Sequence, residues 1–148
     1  MNILKSIINS VKTFGTNTGT EKRRDRFTVK QIQLDELADE LNLVLEGKTD
    51  FNFIGITANG YDSLFFVRND QNFNLEFRAL KKIQLPYLEL LEEFASKHNI
   101  KFETEKLDRI PYLRIKTNTG ITETVDLAKR IQKEIFKNTN STIYKVIP

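Results

Sequence analysis

The sequence predicts an α+β fold in the order helix, three-stranded antiparallel meander, helix, two strands and helix, with an extra amphipathic helix at the N-terminus. Three observations support this prediction. Apolar residues recur at helical spacing in four segments, and they alternate with polar residues in one segment of the meander. The connections between the predicted strands of the meander are short and rich in Asn, Asp and Gly, which is typical of antiparallel hairpins.

Residues 1–14 predict an amphipathic helix, whose apolar residues we call the N-terminal stripe. They are Ile3, Leu4, Ile7, Ile8, Val11 and Phe14. Burial contributes roughly 1.5 to 3 kcal/mol for each such side chain, so the stripe is too apolar to stay exposed on a soluble monomer. The segment's only charged side chains are Lys5 and Lys12, which favours a protein surface over a lipid surface as its binding site.

Residues 15–26 predict a polar and basic linker. Its first half, GTNTGT, interrupts the apolar pattern, and its second half is a charge cluster. The basic residues of this cluster are Lys22, Arg23, Arg24 and Arg26. They can contact phosphates or anionic lipid headgroups, or they can simply be solvated.

Residues 27–148 predict one α+β domain. Residues 27–33 fit either a short strand or the beginning of a helix, and helices are predicted over residues 34–45, 85–99 and 122–137. In the second of these helices Pro86 takes a first-turn position. The apolar stripe of that helix consists of Leu85, Leu88, Leu91, Phe94 and Ala95.

The predicted strands cover residues 51–57, 63–68, 73–82, 101–107 and 112–117, with a final strand over residues 142–147. In the third strand Phe73, Leu75, Phe77 and Ala79 alternate with Asn74, Glu76 and Arg78. This alternation predicts a sheet with helices on one side and water on the other. We expect three residues of the fifth strand to add to the wet, basic side: Tyr112, Arg114 and Lys116.

Three glycines carry specific expectations for the backbone. Gly55 lies inside a predicted strand and suggests a bulge or the close packing of a helix. Gly60, after Asn59, and Gly120, after Thr119, predict turns with a positive φ.

The order of elements over about residues 34–137 resembles that of type III secretion chaperones and of the related YbjN family. These are small, cytoplasmic proteins without enzymatic activity. The resemblance therefore implies a non-enzymatic, cytoplasmic protein.

We predict no catalytic, cofactor-binding or metal-binding residue. The chain has no Cys, which excludes thiolate nucleophiles and Cys-ligated metals, and its single His98 lies where a helix C-terminus is predicted. No serine lies in a G-x-S-x-G motif, and no glycines form a nucleotide-binding motif. The carboxylates Glu89, Glu92 and Glu93 occupy the gaps of an apolar stripe, as residues on a solvated helix face do.

The charge distribution bears on the choice of partner. Residues 1–30 hold seven Lys and Arg against two acidic residues, which leaves sixteen basic against eighteen acidic residues in the rest of the chain. The domain itself is therefore nearly neutral, which argues against a basic nucleic-acid-binding surface on it. The sequence also has no run of eighteen apolar residues and no secretory signal, so we expect a cytoplasmic protein.

These observations favour a non-enzymatic protein-binding domain, chaperone-like or adaptor-like. The N-terminal stripe and the four basic residues of the linker are the candidate contacts to a protein partner or to a second copy in a homodimer. The alternative is peripheral membrane or nucleic-acid association through the same residues, and a third hypothesis is an enzyme whose carboxylate site matches no motif. We infer no cofactor and no small-molecule substrate.

Removal of residues 1–20 should leave a folded domain, because the two apolar patterns on either side of the linker are each locally complete. The measurement is thermal melting of the truncated chain beside the full chain. A truncated chain without a cooperative melting transition would show that the N-terminal helix belongs to the core.

Overall fold

The computed structural model describes residues 29–148, in which seven strands form one antiparallel sheet and three helices pack against it. The predicted α+β class is therefore confirmed. The predicted N-terminal helix and linker lie outside the described residues. Within residues 29–148, none of the helices has the length and apolar character that crossing a membrane requires.

The helices begin and end close to the predicted bounds. They are α1 (Leu37–Leu45), α2 (Leu85–Lys97) and α3 (Ile121–Glu134), with 3-10 turns at Leu34–Glu36 and Lys82–Gln84. Before the second of these turns, the backbone N–H groups of Leu80 and Lys81 donate to Oε1 of Gln84 over 2.9 and 3.0 Å. The buried Gln84 thereby satisfies the free N–H groups where this helical segment starts.

Seven strands make the sheet. In chain order they are β1 (Gln31–Ile32), β2 (Phe53–Thr57), β3 (Leu64–Asn69), β4 (Asn72–Arg78), β5 (Phe102–Leu107), β6 (Ile110–Thr119) and β7 (Tyr144–Ile147). Their order in space is β1-β7-β2-β3-β4-β6-β5. The C-terminal strand β7 therefore lies between β1 and β2, and the segment that fitted either a strand or a helix contains the edge strand β1.

Two tight hairpins turn through residues with left-handed backbone angles. Asp70 has a φ of 60° between β3 and β4, and Asp108 and Arg109 have φ values of 51° and 69° between β5 and β6. Positive φ at turn positions matches the right-handed twist of the strands, and Asp tolerates it better than most residues do. These turns fix the register of the β3–β4 and β5–β6 pairs.

All three described helices cover the same face of the sheet. The buried apolar residues on the helices are Leu37, Leu41, Val44, Leu91, Phe94, Ala95, Val125, Ala128 and Ile131. They pack against alternate residues of the strands, which in β4 are Phe73, Leu75 and Phe77. This is the helix-covered face that the alternation in β4 predicted, and it holds the main core.

The apolar stripe predicted for α2 is only partly buried. Leu91, Phe94 and Ala95 are in the core, but Leu88 is half-buried and Leu85 is 42% exposed. Leu88 borders a groove of about 340 Å³ between α2 and strands β5 and β6, so part of its side chain faces that groove. The spacing that predicts this stripe therefore does not place Leu88 fully in the core.

The glycine predictions had mixed outcomes. Gly60 has a φ of 87°, as a turn glycine should, but Gly120 has a φ of −69°. Gly120 instead takes the N-cap position of α3, and Asn118 supplies the left-handed conformation with a φ of 47°. Gly55 faces neither a bulge nor a helix, and the residue opposite it is Phe65 of β3.

Replacing Leu91 by Ala should lower the free energy of unfolding by about 2 to 5 kcal/mol, because the side chain is fully buried between α2 and the sheet. The neighbouring Leu90 is 40% exposed, so Leu90→Ala is the matched control and should cost about 1 kcal/mol or less. Chemical denaturation of both variants measures the difference. Equal losses of unfolding free energy in the two variants would contradict the conclusion that α2 packs against the sheet through Leu91.

Candidate functional site

The second face of the sheet carries no helix among residues 29–148. Its side chains come from the alternate positions of strands β2, β3, β4 and β6 and from the ends of the neighbouring segments. We call this surface the aromatic face, and it consists of Phe51, Phe53, Gly55, Phe65, Val67, Glu76, Arg78, Leu107, Tyr112 and Arg114.

Three phenylalanines form a row on this face. The rings of Phe51 and Phe53 stack with centroids 5.2 Å apart, and the rings of Phe53 and Phe65 meet edge to face at 6.0 Å. Both are favourable geometries for aromatic pairs. Phe53 and Phe65 are buried, whereas Phe51 is 45% exposed, so the row runs from a packed end to an accessible end.

Gly55 makes room for this row. It lies directly opposite Phe65 in the β2–β3 pair, and a Cβ atom at Gly55 would come within 2.7 Å of two atoms of the Phe65 ring. The ring therefore lies over the glycine, where it shields the bare backbone of β2. The expected bulge or helix at Gly55 was wrong, since an aromatic ring of the adjacent strand is what requires the glycine.

An ion cluster lies next to the aromatic row. Oε2 of Glu76 accepts a hydrogen bond of 3.1 Å from Nε of Arg114 and lies 3.0 Å from Nη2 of the same side chain, and Oε1 lies 3.4 Å from Nη2 of Arg78. Glu76 is almost fully buried, with 4% of its surface exposed, so it is not on a wet surface as the alternation had suggested. Two guanidinium groups compensate the desolvation of the carboxylate.

Aromatic rings also contact both guanidinium groups. The Arg78 guanidinium lies 5.5 Å from the centroid of Phe65, and the Arg114 guanidinium lies 5.5 Å from the centroid of Tyr112. Such cation–π contacts fix the direction of the long Arg side chains. The aromatic row and the ion cluster are therefore one connected surface.

Tyr112 was expected on the wet side of the sheet with Arg114 and Lys116. The structure places it on that side, but Tyr112 is buried. Burial raises the pKa of the Tyr112 hydroxyl, and the nearby Glu76 carboxylate raises it further. Lys116 forms an exposed ion pair with Glu103 of β5 over 2.6 Å. The hydrogen bond from Lys116 and its positive charge lower the pKa of the Glu103 carboxyl.

A concave pocket of about 200 Å³ lies between the aromatic row and the ion cluster. Phenyl rings and Val67 form one wall, and the other wall is formed by the two Arg side chains, Tyr112 and Leu107. This arrangement offers apolar contact together with cationic hydrogen-bond donors. It suits an apolar group bordered by acceptors, such as part of a polypeptide.

A second polar cluster lies at the edge of the helix-covered core. Oδ1 of the buried Asp62 accepts hydrogen bonds from Oγ1 of Thr57 and from the backbone N–H groups of Ala58 and Asn59, over 2.9 to 3.2 Å. Its Oδ2 accepts a bond of 2.8 Å from Nδ2 of Asn138. Asp62 thereby joins the β2–β3 loop to the segment that precedes β7.

Tyr144 lies beside this cluster and is fully buried. Burial raises the pKa of its hydroxyl to about 12, and the Asp62 carboxylate contributes in the same direction. The Asn138 amide lowers that pKa slightly, but its N–H groups donate to Asp62 and Gln132. Tyr144 stays neutral in the interior. The Asp62 carboxylate holds two loops together through four hydrogen bonds. Both residues therefore serve the fold.

The single histidine is placed as the sequence predicted. His98 takes the C-cap position of α2, and its ring lies 4.4 Å from that of Phe94. Over residues 29–148, no three His, Asp or Glu side chains come together in a group that could hold a metal ion.

The predicted partner-binding residues cannot be placed in this geometry. The N-terminal stripe and the four basic residues of the linker lie outside the described residues. The sequence patterns described above did not predict the aromatic face, although two signals pointed to it. Phe51, Phe53 and Gly55 share one side of a strand, and Phe65 and Phe66 are consecutive, which puts large apolar side chains on both faces of β3.

Comparison of the chain with protein-family models, with curated proteins and with solved structures finds no match.

Replacing Glu76 by Gln should lower the free energy of unfolding by about 2 to 4 kcal/mol, because it leaves two neighbouring guanidinium groups without their shared anion. The loss should stay below that of a fully enclosed pair, since Arg114 keeps 38% of its side chain exposed. Glu103→Gln breaks the exposed pair with Lys116 and should leave the unfolding midpoint nearly unchanged. A Glu76→Gln variant as stable as the parent would show that the ion cluster does not hold the aromatic face together.

Proposed function

We propose that this chain is a non-enzymatic protein-binding domain, chaperone-like or adaptor-like, whose aromatic face binds a segment of a protein partner. The observation that carries this proposal is the pairing of clustered aromatic side chains with two fixed guanidinium groups on the sheet face that no described helix covers. Aromatic residues and Arg are the residue types that dominate the energy of protein interfaces.

The size of the surface favours a macromolecular partner over a small molecule. Small-molecule sites are mostly enclosed clefts of about 300 to 1,000 Å³. The pocket on the aromatic face is smaller, at about 200 Å³, and it continues into the accessible side chains of Phe51 and Leu107, which are 45% and 42% exposed. Between strands β2 and β5 the face is four strand spacings wide, about 19 Å, which is the scale of a docked peptide segment.

The ion cluster supports a binding role in a second way. A charged triad of this kind is seldom more stabilising than apolar residues of the same volume, so stability alone explains it poorly. Charged groups that are held in place beside an apolar surface give an interface orientation and specificity. The Arg114 side chain, which is 38% exposed, can offer the donors of its outer edge to backbone carbonyl or carboxylate groups of a bound segment.

The test uses two variants that add charge to the accessible rim of the aromatic face, Phe51→Asp and Leu107→Asp. Leu90→Asp is the matched control, because Leu90 is 40% exposed on α2, which covers the opposite face of the sheet. Proteins captured from the source cell by the parent chain are identified by mass spectrometry. The leading candidate is then purified, and its dissociation constant for each variant is measured by titration calorimetry.

We expect the parent and Leu90→Asp to bind equally, and we expect each rim variant to bind at least about tenfold more weakly, as loss of an interface anchor does. Equal affinity for all four proteins, or a loss confined to Leu90→Asp, would contradict binding at the aromatic face. Turnover of a substrate by the purified chain would contradict the non-enzymatic assignment.

A further inference from the structure

We infer that the aromatic face has an internal occupant: the apolar N-terminal stripe of the same chain docks on it. This inference rests on the proposed function, since it takes the aromatic face to be a docking surface for an apolar segment. The N-terminal stripe is then the segment that competes with any partner for the aromatic face. Three observations carry it: the reach of the chain, the match in size, and the match in chemistry.

The described chain begins where such docking is possible. Val29 precedes the edge strand β1, which is separated from β3 by β7 and β2. Three strand spacings amount to about 14 Å. Residues 15–28 provide fourteen residues between the stripe and Val29, and an extended chain of that length spans up to about 45 Å. The connection therefore reaches strand β3 of the aromatic face without strain.

The dimensions of the two surfaces agree. The spacing of apolar residues predicts a helix over residues 1–14, which would be about 21 Å long. The aromatic face is about 19 Å wide from β2 to β5. A helix of three to four turns therefore covers the face without a large overhang.

The chemistry of the two surfaces also agrees. The stripe is made of aliphatic residues and one Phe, and the aromatic face presents the ring of Phe51, the half-buried Val67 and Leu107 at its accessible positions. The Glu76 carboxylate is already paired with two guanidinium groups within the face, so an apolar helix face does not leave that buried carboxylate without a partner. The only charged side chains near the stripe, Lys5 and Lys12, fall between its apolar positions, where a docked helix leaves them in water.

The experiment uses the full chain, which is well suited to disulfide mapping because it contains no Cys. Ile7→Cys is combined with Val67→Cys or with Leu107→Cys, both on the aromatic face. The control combines Ile7→Cys with Leu90→Cys, on the other side of the molecule. A second set with Val11→Cys in place of Ile7→Cys covers the neighbouring helical turn. Mild oxidation is followed over time by denaturing electrophoresis and by thiol counting.

We expect at least one aromatic-face pair in each set to form a disulfide within a single chain, at least about tenfold faster than its Leu90 control, because docking raises the effective concentration of the two thiols. Equal rates for face and control pairs, or no disulfide in any pair, would overturn the inference. A disulfide between two chains would also overturn it and would identify a second copy as the host.

A second measurement does not depend on the register of the helix. Ile7→Asp with Val11→Asp places two charges in the stripe, and Ser6→Asp with Ser10→Asp places the same two charges on polar positions of the same segment. The stripe variant should melt at a lower temperature than the polar-position variant, with the solution mass of the parent retained. An unchanged melting temperature or a changed mass would contradict docking within the chain.

The two proposals fail in different ways. If the disulfide and melting experiments fail while Phe51→Asp still abolishes partner binding, the aromatic face binds a partner but has no internal occupant. If the disulfides form and no partner distinguishes the rim variants, the face serves its own chain only, and the proposed function is wrong.

Discussion

Strand β3 imposes a constraint on the rest of the molecule, because it buries large aromatic side chains on both of its faces. Phe66 points into the helix-covered core, and Phe65, the residue before it, lies on the aromatic face with only 2% of its surface exposed. A sheet with one solvated face needs apolar residues on one side only. Here the second side needs its own packing, and the structure provides it with Phe53, the bare backbone at Gly55 and the guanidinium of Arg78.

The two faces of the sheet are stabilised by different kinds of interaction. The helix-covered face is a conventional core, in which three helices bury aliphatic and aromatic residues against the sheet. The aromatic face combines a small apolar cluster with an ion cluster of one acid and two bases. The stability that the helix-covered core contributes grows with the apolar area that it buries. The contribution of the ion cluster depends on geometry, because a buried carboxylate is tolerated only where its partners stay in place. The aromatic face therefore depends more on the orientation of its charged side chains than on the apolar area that it buries.

The sequence was sufficient to predict the α+β class and the side of β4 that the helices cover, because period-2 alternation and helical stripes are local signals. It did not predict that Glu76 is buried, since that depends on Arg114, which is 38 residues away along the chain. Nor did it predict the role of Gly55, which depends on a ring in the adjacent strand. Both are contacts across strands, and a pattern within one segment carries no information about what lies opposite. The position of β7 between β1 and β2 is a long-range property of the same kind.

The proposed function and its internal occupant together set a limit on affinity. A segment tethered by a linker of about a dozen residues is present at its docking site at an effective concentration on the order of millimolar. Any partner that uses the aromatic face must displace it, so the apparent dissociation constant of that partner equals its intrinsic value divided by the fraction of chains in which the face is undocked. An apolar stripe held this way is also removed from water in the absence of a partner, which keeps the free chain from associating through exposed hydrophobic residues. Under the two proposals together, a bound partner would displace the stripe, and the stripe would then be available as a second contact surface for the same complex.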